Sequence, residues 1–153
     1  MTMNFIKKHK KALCILLIVL AVLIIPGKIY DAVAMHHFED PFMKRDSSKH
    51  TIFSLDASEI SSISIRNGTF GNFVEYTAGN GLEEVIDQLN SFQYRHWNAQ
   101  IPIGMGGWMY GIHIEANDGT WRTYRIWDNA IKADNILFYG DKNAFSEFIA
   151  AVE

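Results

Sequence analysis

WMYGIHIEANDGTWRTYRIW, residues 108–127, is the stretch on which the fold turns. Trp108, Tyr110, Ile112 and Ile114 alternate with Met109, Gly111, His113 and Glu115, and such alternation places each set on its own side of a strand. After Asn117-Asp118-Gly119 the pattern resumes, with Tyr124 and Ile126 on one side and Trp121, Thr123, Arg125 and Trp127 on the other. The two apolar sides coincide only if paired positions sum to an even number, which a three-residue loop with Gly119 in the left-handed conformation provides. Tyr110 is then expected opposite Ile126, and Ile112 opposite Tyr124.

Upstream, ISSISIR (60–66) and the β-prone residues 72–78 flank the turn-rich NGTFG and read as a second hairpin. Leu82, Val85, Ile86 and Leu89 then fall at i, i+3, i+4 and i+7 behind Asn80 as a cap, with Glu83 three residues on. Residues 92–107, with Pro102 and glycines at 104, 106 and 107, read as a long loop. Downstream, residues 136–140 read as a last strand. Phe145, Phe148, Ile149 and Val152 then form the stripe of a helix capped near Asp141. A further strand over 51–55 is allowed. The expected fold class is α+β, a single domain over 51–153 with an antiparallel sheet and two helices on one face, in the order β-β-α-β-β-β-α.

Residues 31–50 (DAVAMHHFEDPFMKRDSSKH) carry no sustained periodicity and read as a linker, with any helical continuation stopping before Pro41. Before it lie a basic amino terminus and an apolar run, ALCILLIVLAVLII, so residues 1–30 are expected to be a transmembrane helix or signal anchor. Lys7, Lys8, Lys10 and Lys11 precede the run and Lys28 follows it, which favours an amino terminus inside and a domain outside. The expected location is the cytoplasmic membrane, crossed once through residues 12–27. Ala32-Val33-Ala34 offers the alternative of secretion after cleavage near Ala34, against which Lys28, Tyr30 and Asp31 put charge and bulk into the cleavage region. Cys14 opens the apolar run instead of closing it, so it makes no lipoprotein signal.

All seventeen acids lie from Asp31 onward, beside nine bases (fourteen less the five lysines before it), a net of −8 for the outer part. Such a surface repels phosphate backbones and anionic headgroups, which excludes nucleic acid as a partner by net charge. Cys14 is the only cysteine, so the domain has no internal disulfide, thiol nucleophile or cysteine metal cluster.

With the helices covering the Tyr110, Ile112 and Tyr124 side, the other side gathers Trp121, Trp127, Arg125, His113 and Met109. Apolar surface rimmed by charge marks an interaction site, Trp and Arg are favoured anchors, and an aromatic platform stacks on sugar rings. The competing arrangement packs the tryptophans under the 92–107 loop or onto the linker. His36-His37 with Glu39 and Asp40 contains metal-ligand types, but adjacent histidines in a strand diverge, and a solvated linker accounts for them. Gly104-Met105-Gly106-Gly107 lacks the strand, helix and lysine of a phosphate cradle. Asn67-Gly68-Thr69 fits a glycosylation acceptor and reads as a turn. His96, His113, Asp128, Asp134 and the serines at 61, 62, 64 and 91 sit in no catalytic motif. No catalytic residue, metal site or cofactor is assigned, and the sequence leans against an enzyme.

The Asp56, Ile60, Ile63, Ile65 strand pattern, the Leu-Glu-Glu-Val-Ile helix, the Gly-Gly-Trp-Met-Tyr entry, the Asn-Asp-Gly turn and the late Tyr-Gly-Asp resemble small exported domains. Those domains stand behind a signal or anchor segment in uncharacterised envelope proteins of Gram-positive bacteria. The resemblance implies an envelope location and a non-enzymatic role. The expected function is a membrane-tethered extracytoplasmic module that binds or senses an envelope protein or glycan. The alternatives are an envelope hydrolase or metal-dependent enzyme, and an accessory subunit of a membrane complex.

Overall fold

A computed structural model of the chain describes residues 10–44, 51–99, 107–127 and 129–140. The chain divides into two compact units after Phe38. The first contains helix α1, Lys10–His36. At 1.5 Å per residue its 27 residues extend about 40 Å, beyond the roughly 30 Å of a hydrocarbon core. It runs through Pro26 and past the apolar run, and it takes in Ala34. From Leu13 to Ile25 its large apolar side chains are exposed, and by length and composition it can cross a membrane or act as a signal sequence.

The second unit begins at Glu39. Its described residues hold a helix, α2 (Leu82–Ser91), and seven strands. These are β1 (Ile60–Asn67), β2 (Phe73–Thr77), β3 (Tyr94–Ala99), β4 (Tyr110–Ala116), β5 (Trp121–Trp127), β6 (Ala130–Ala133) and β7 (Ile136–Gly140). They form one sheet, ordered β2-β1-β4-β5-β6-β7-β3, with every neighbour antiparallel. The fold is therefore α+β with an antiparallel sheet, but the element order is corrected to β-β-α-β-β-β-β-β over the described residues.

Two strands account for the difference. β3 lies inside the stretch read as a loop. It is an edge strand paired with β7 across a register shift between Tyr94 and His96, which breaks the alternation that would have announced it. β6 is four residues long and joins β7 through a two-residue turn in which Asp134 takes φ 48°, a left-handed conformation that Asp tolerates better than most residues. The helix expected to start near Asp141 lies outside the described residues.

The hairpin of β4 and β5 has the expected register, Tyr110 against Ile126 and Ile112 against Tyr124, with Gly119 at φ 83°. Directly opposed residues share a face, so the inner face gathers Ile63, Ile65, Ile112, Ile114, Tyr124, Ile126, Ile131 and Phe138, all buried. Each fully buried aliphatic contributes about 1.5–3 kcal/mol. α2 joins β2 at one edge to β3 at the other, and Leu82, Val85, Ile86 and Leu89 are its buried stripe. Its N-cap is Gly81 at φ 72°, one residue later than the expected Asn80, whose amide instead donates to the Glu75 carbonyl.

A strap completes the core. Phe42 and Met43 are buried, and Met43 bridges Phe53 through Lys44 N–H to Ile52 O (2.9 Å) and Ser54 N–H to Phe42 O (2.9 Å). Leu55 is clamped by the Asn90 amide, which accepts from its N–H at 2.8 Å and donates to its carbonyl at 2.9 Å. The folded unit thus takes in part of the stretch that reads as a linker. Residues 51–55, allowed as a strand, join ladders only at isolated bridges.

Candidate functional site

The outer face of the sheet is built by the register. Four cross-strand rows run over it, the first being Thr77, Ser62, Glu115 and Trp121. Glu75, Ser64, His113 and Thr123 follow. The third row is Phe73, Arg66, Gly111, Arg125, Lys132 and Leu137, and the last contains Trp127, Ala130 and Tyr139.

Trp121 is 57% exposed, so it is not a core residue. Its ring lies 5.5 Å from that of His113 at a tilt of 38°, and His113 Nδ1 is 3.0 Å from the Thr123 hydroxyl. Arg125 is exposed, Met109 is 40% exposed and Trp127 is half-buried. These residues do not converge on one point. Trp121 and Trp127 stand at opposite ends of β5, roughly 20 Å apart at 3.3 Å per residue, so a ligand touching both must be extended or large.

Three features of this face escape a reading of single strands. Arg66 and Lys132 join Arg125 in one row, a juxtaposition that exists only once the sheet order is known. Gly111 interrupts that row, and the Trp108 ring lies over it: a Cβ there would be 3.6 Å from the ring. A Cβ on Gly68 would overlap the Trp108 carbonyl and ring, which is why that turn position has no side chain. Asn67 Oδ1 accepts from Thr69 N–H (2.9 Å) and Phe70 N–H (3.2 Å), making the turn expected there.

On the inner face, Tyr124 donates to Asp40 Oδ1 at 2.7 Å, and the Phe42 N–H donates to the same oxygen at 2.9 Å. Burial raises the Asp40 carboxyl above its ordinary value of 3.8; the Tyr124 and Phe42 hydrogen bonds and the Arg122 charge oppose this. Burial, then the Asp40 charge, pushes the Tyr124 phenol far above its usual range, so Tyr124 remains a donor. Asp40 binds its proton more tightly folded than unfolded. The stability this contributes is complete below the ordinary carboxylate pKa and is lost as pH rises through the raised value. Wild type is therefore expected to lose stability relative to Asp40→Asn as pH rises from the ordinary carboxylate value through the raised one. Urea denaturation across that range checks it, and parallel pH profiles for the two proteins would contradict it.

The remaining candidates are dispersed. The Ser61 hydroxyl donates to the Glu115 carbonyl and Ser91 to the Gln88 carbonyl, while Ser62 is buried in β1. His96 stacks on Tyr139 at 4.6 Å, and Asp134 occupies the β6–β7 turn. Asp128 and residues 104–106 lie outside the described residues. His36 and His37 meet edge to face at 5.2 Å, and among the described residues no three His, Cys, Asp or Glu are grouped to hold a metal. Asp56, Glu59, Glu83, Asp87 and Lys44 line an open groove of about 690 Å³. Hydrogen bonds from the Ser58 hydroxyl and N–H hold the Asp56 carboxyl below its ordinary value. No protein-family model, curated protein or solved structure matches the chain, so what the outer face does has to be read from its own chemistry.

Proposed function

We propose that the chain is a membrane-tethered extracytoplasmic binding module that presents the outer face of its sheet to a protein or glycan of the envelope. The observation that carries this is the large exposed Trp121 ring beside the His113 imidazole, in a face that also bears Arg125 and Arg66. A bare indole gains most by being covered, and it is an efficient anchor for apolar or sugar surfaces. The exposed apolar side of α1 and the lysines around it support anchoring with the amino terminus inside. Retention is supported by Lys28, Tyr30 and Asp31, which put charge and bulk where a cleavage region prefers small neutral residues.

Trp121→Ala is expected to change stability by no more than about 0.5 kcal/mol, as an exposed position should. A photocrosslinking side chain at position 121, illuminated in intact cells, is expected to form a defined adduct that one at the exposed Glu83 of α2 does not. Adducts indistinguishable between the two positions, or unfolding by Trp121→Ala, would count against this reading.

A further inference from the structure

The hairpin of β1 and β2 ends in a tip of exposed apolar side chains. Phe70 is 77% exposed, Phe73 67% and Val74 48%, and the Gly68 N–H to Met109 carbonyl bond (2.7 Å) brings the 40% exposed Met109 alongside. Between Glu59 and Glu75 the only charged residue is Arg66. Phe73 pairs with Arg66, and that row continues through Gly111 to Arg125 and Lys132. Among the described residues none of these three cations forms an ion pair.

The opposite end of the sheet has the opposite character. Asp56 and Glu59 precede β1 there, Glu115 is the penultimate residue of β4, Asp118 lies in the β4–β5 loop, and Arg122 is the second residue of β5. Among the described residues the charges near these strand ends therefore run from the apolar tip and cationic row to four acids beside the lone Arg122. Phe73 stands in the cationic row itself, while Phe70 in the turn and Met109, two residues before Gly111 and so about 6.6 Å along the strand, lie beyond it.

This is the arrangement that a bilayer interface selects, with apolar side chains at the acyl boundary, Arg and Lys at the phosphates, and acids held away. We propose that the β1–β2 tip docks onto the anionic lipid surface of the membrane that α1 enters, seating Phe70, Phe73 and Met109 in the headgroup region. Net charge alone excludes such a surface only if the charges are spread evenly, and here they are not. The inference rests on the anchored reading of α1 and is independent of what Trp121 binds.

The test uses the full chain reconstituted in vesicles containing phosphatidylglycerol, labelled at one cysteine with an environment-sensitive dye. Three proteins are compared: the wild type, labelled at Cys14; Cys14→Ser with Thr69→Cys, at the tip; and Cys14→Ser with Asp118→Cys, at the far end. Lipids spin-labelled near the headgroup are expected to quench the dye at position 69, and aqueous iodide to quench only that at 118. In neutral phosphatidylcholine the lipid contact at 69 should weaken, about fivefold for each cation that loses its anionic partner, the equivalent of roughly 1 kcal/mol per basic residue. A dye at 69 as open to iodide as one at 118, with Cys14 protected in lipid, would overturn the inference and leave the anchor standing. Iodide quenching at Cys14 would overturn both.

Discussion

Phe53→Ala is expected to lower the stability of the domain by about 3–5 kcal/mol, a large part of what a domain of this size possesses. Phe53 is 4% exposed and meets the Tyr124 ring edge to face at 5.1 Å, while Tyr124 is itself held by Asp40. Truncation would open a cavity between strap and sheet and loosen the bridge to Met43. Urea denaturation of the purified chain, followed by tryptophan fluorescence, gives the number. A loss below about 1 kcal/mol would mean that the strap rests on the sheet without completing its core.

Ile18→Lys combined with Val22→Lys is expected to remove the chain from the membrane. Both positions are exposed on α1 near the middle of its apolar run, and a lysine at the centre of a spanning helix costs about 2.5–3.5 kcal/mol. Two such charges exceed what lysines at the ends of the run can offset by snorkelling. The readout is extraction with alkaline carbonate: the wild type should stay with the membranes and the double variant should not. A variant that resists extraction as the wild type does would show that α1 is not the spanning element.

Much of this architecture was legible because its signals are local. The alternation in residues 108–127, interrupted by Asn-Asp-Gly, carries face, register and turn together, and all three appear in the hairpin of β4 and β5 from Tyr110 onward, whereas the Trp108 ring, expected beside Tyr110, lies over Gly111 on the outer face. The i, i+3, i+4, i+7 stripe of α2 and the short apolar run of β7 are equally self-contained. β3 was not legible, because its partner β7 is remote in sequence and its own alternation is broken by a bulge. β6 left a weaker trace: Asp-Asn occurs at 128–129 and again at 134–135, and turn dipeptides that close together bracket a short strand.

The same division runs through the candidate site. Trp121, His113 and Arg125 could be placed on one face from alternation within a single hairpin. Arg66 and Lys132 come from other strands and meet Arg125 only through the sheet order, so the cationic row has no signature in any one segment. Asp40 reads as linker by composition, and its bond to Tyr124 spans 84 positions of chain. A net charge taken over a whole domain averages away the polarity that these long-range pairings create.

Protease added to intact cells shows on which side of the cytoplasmic membrane the domain stands, since α1 with its flanking lysines is proposed to place it outside. The domain is expected to be digested without permeabilisation while a cytosolic control protein survives. A domain that stays intact until the membrane is permeabilised, and only then is degraded, would contradict it.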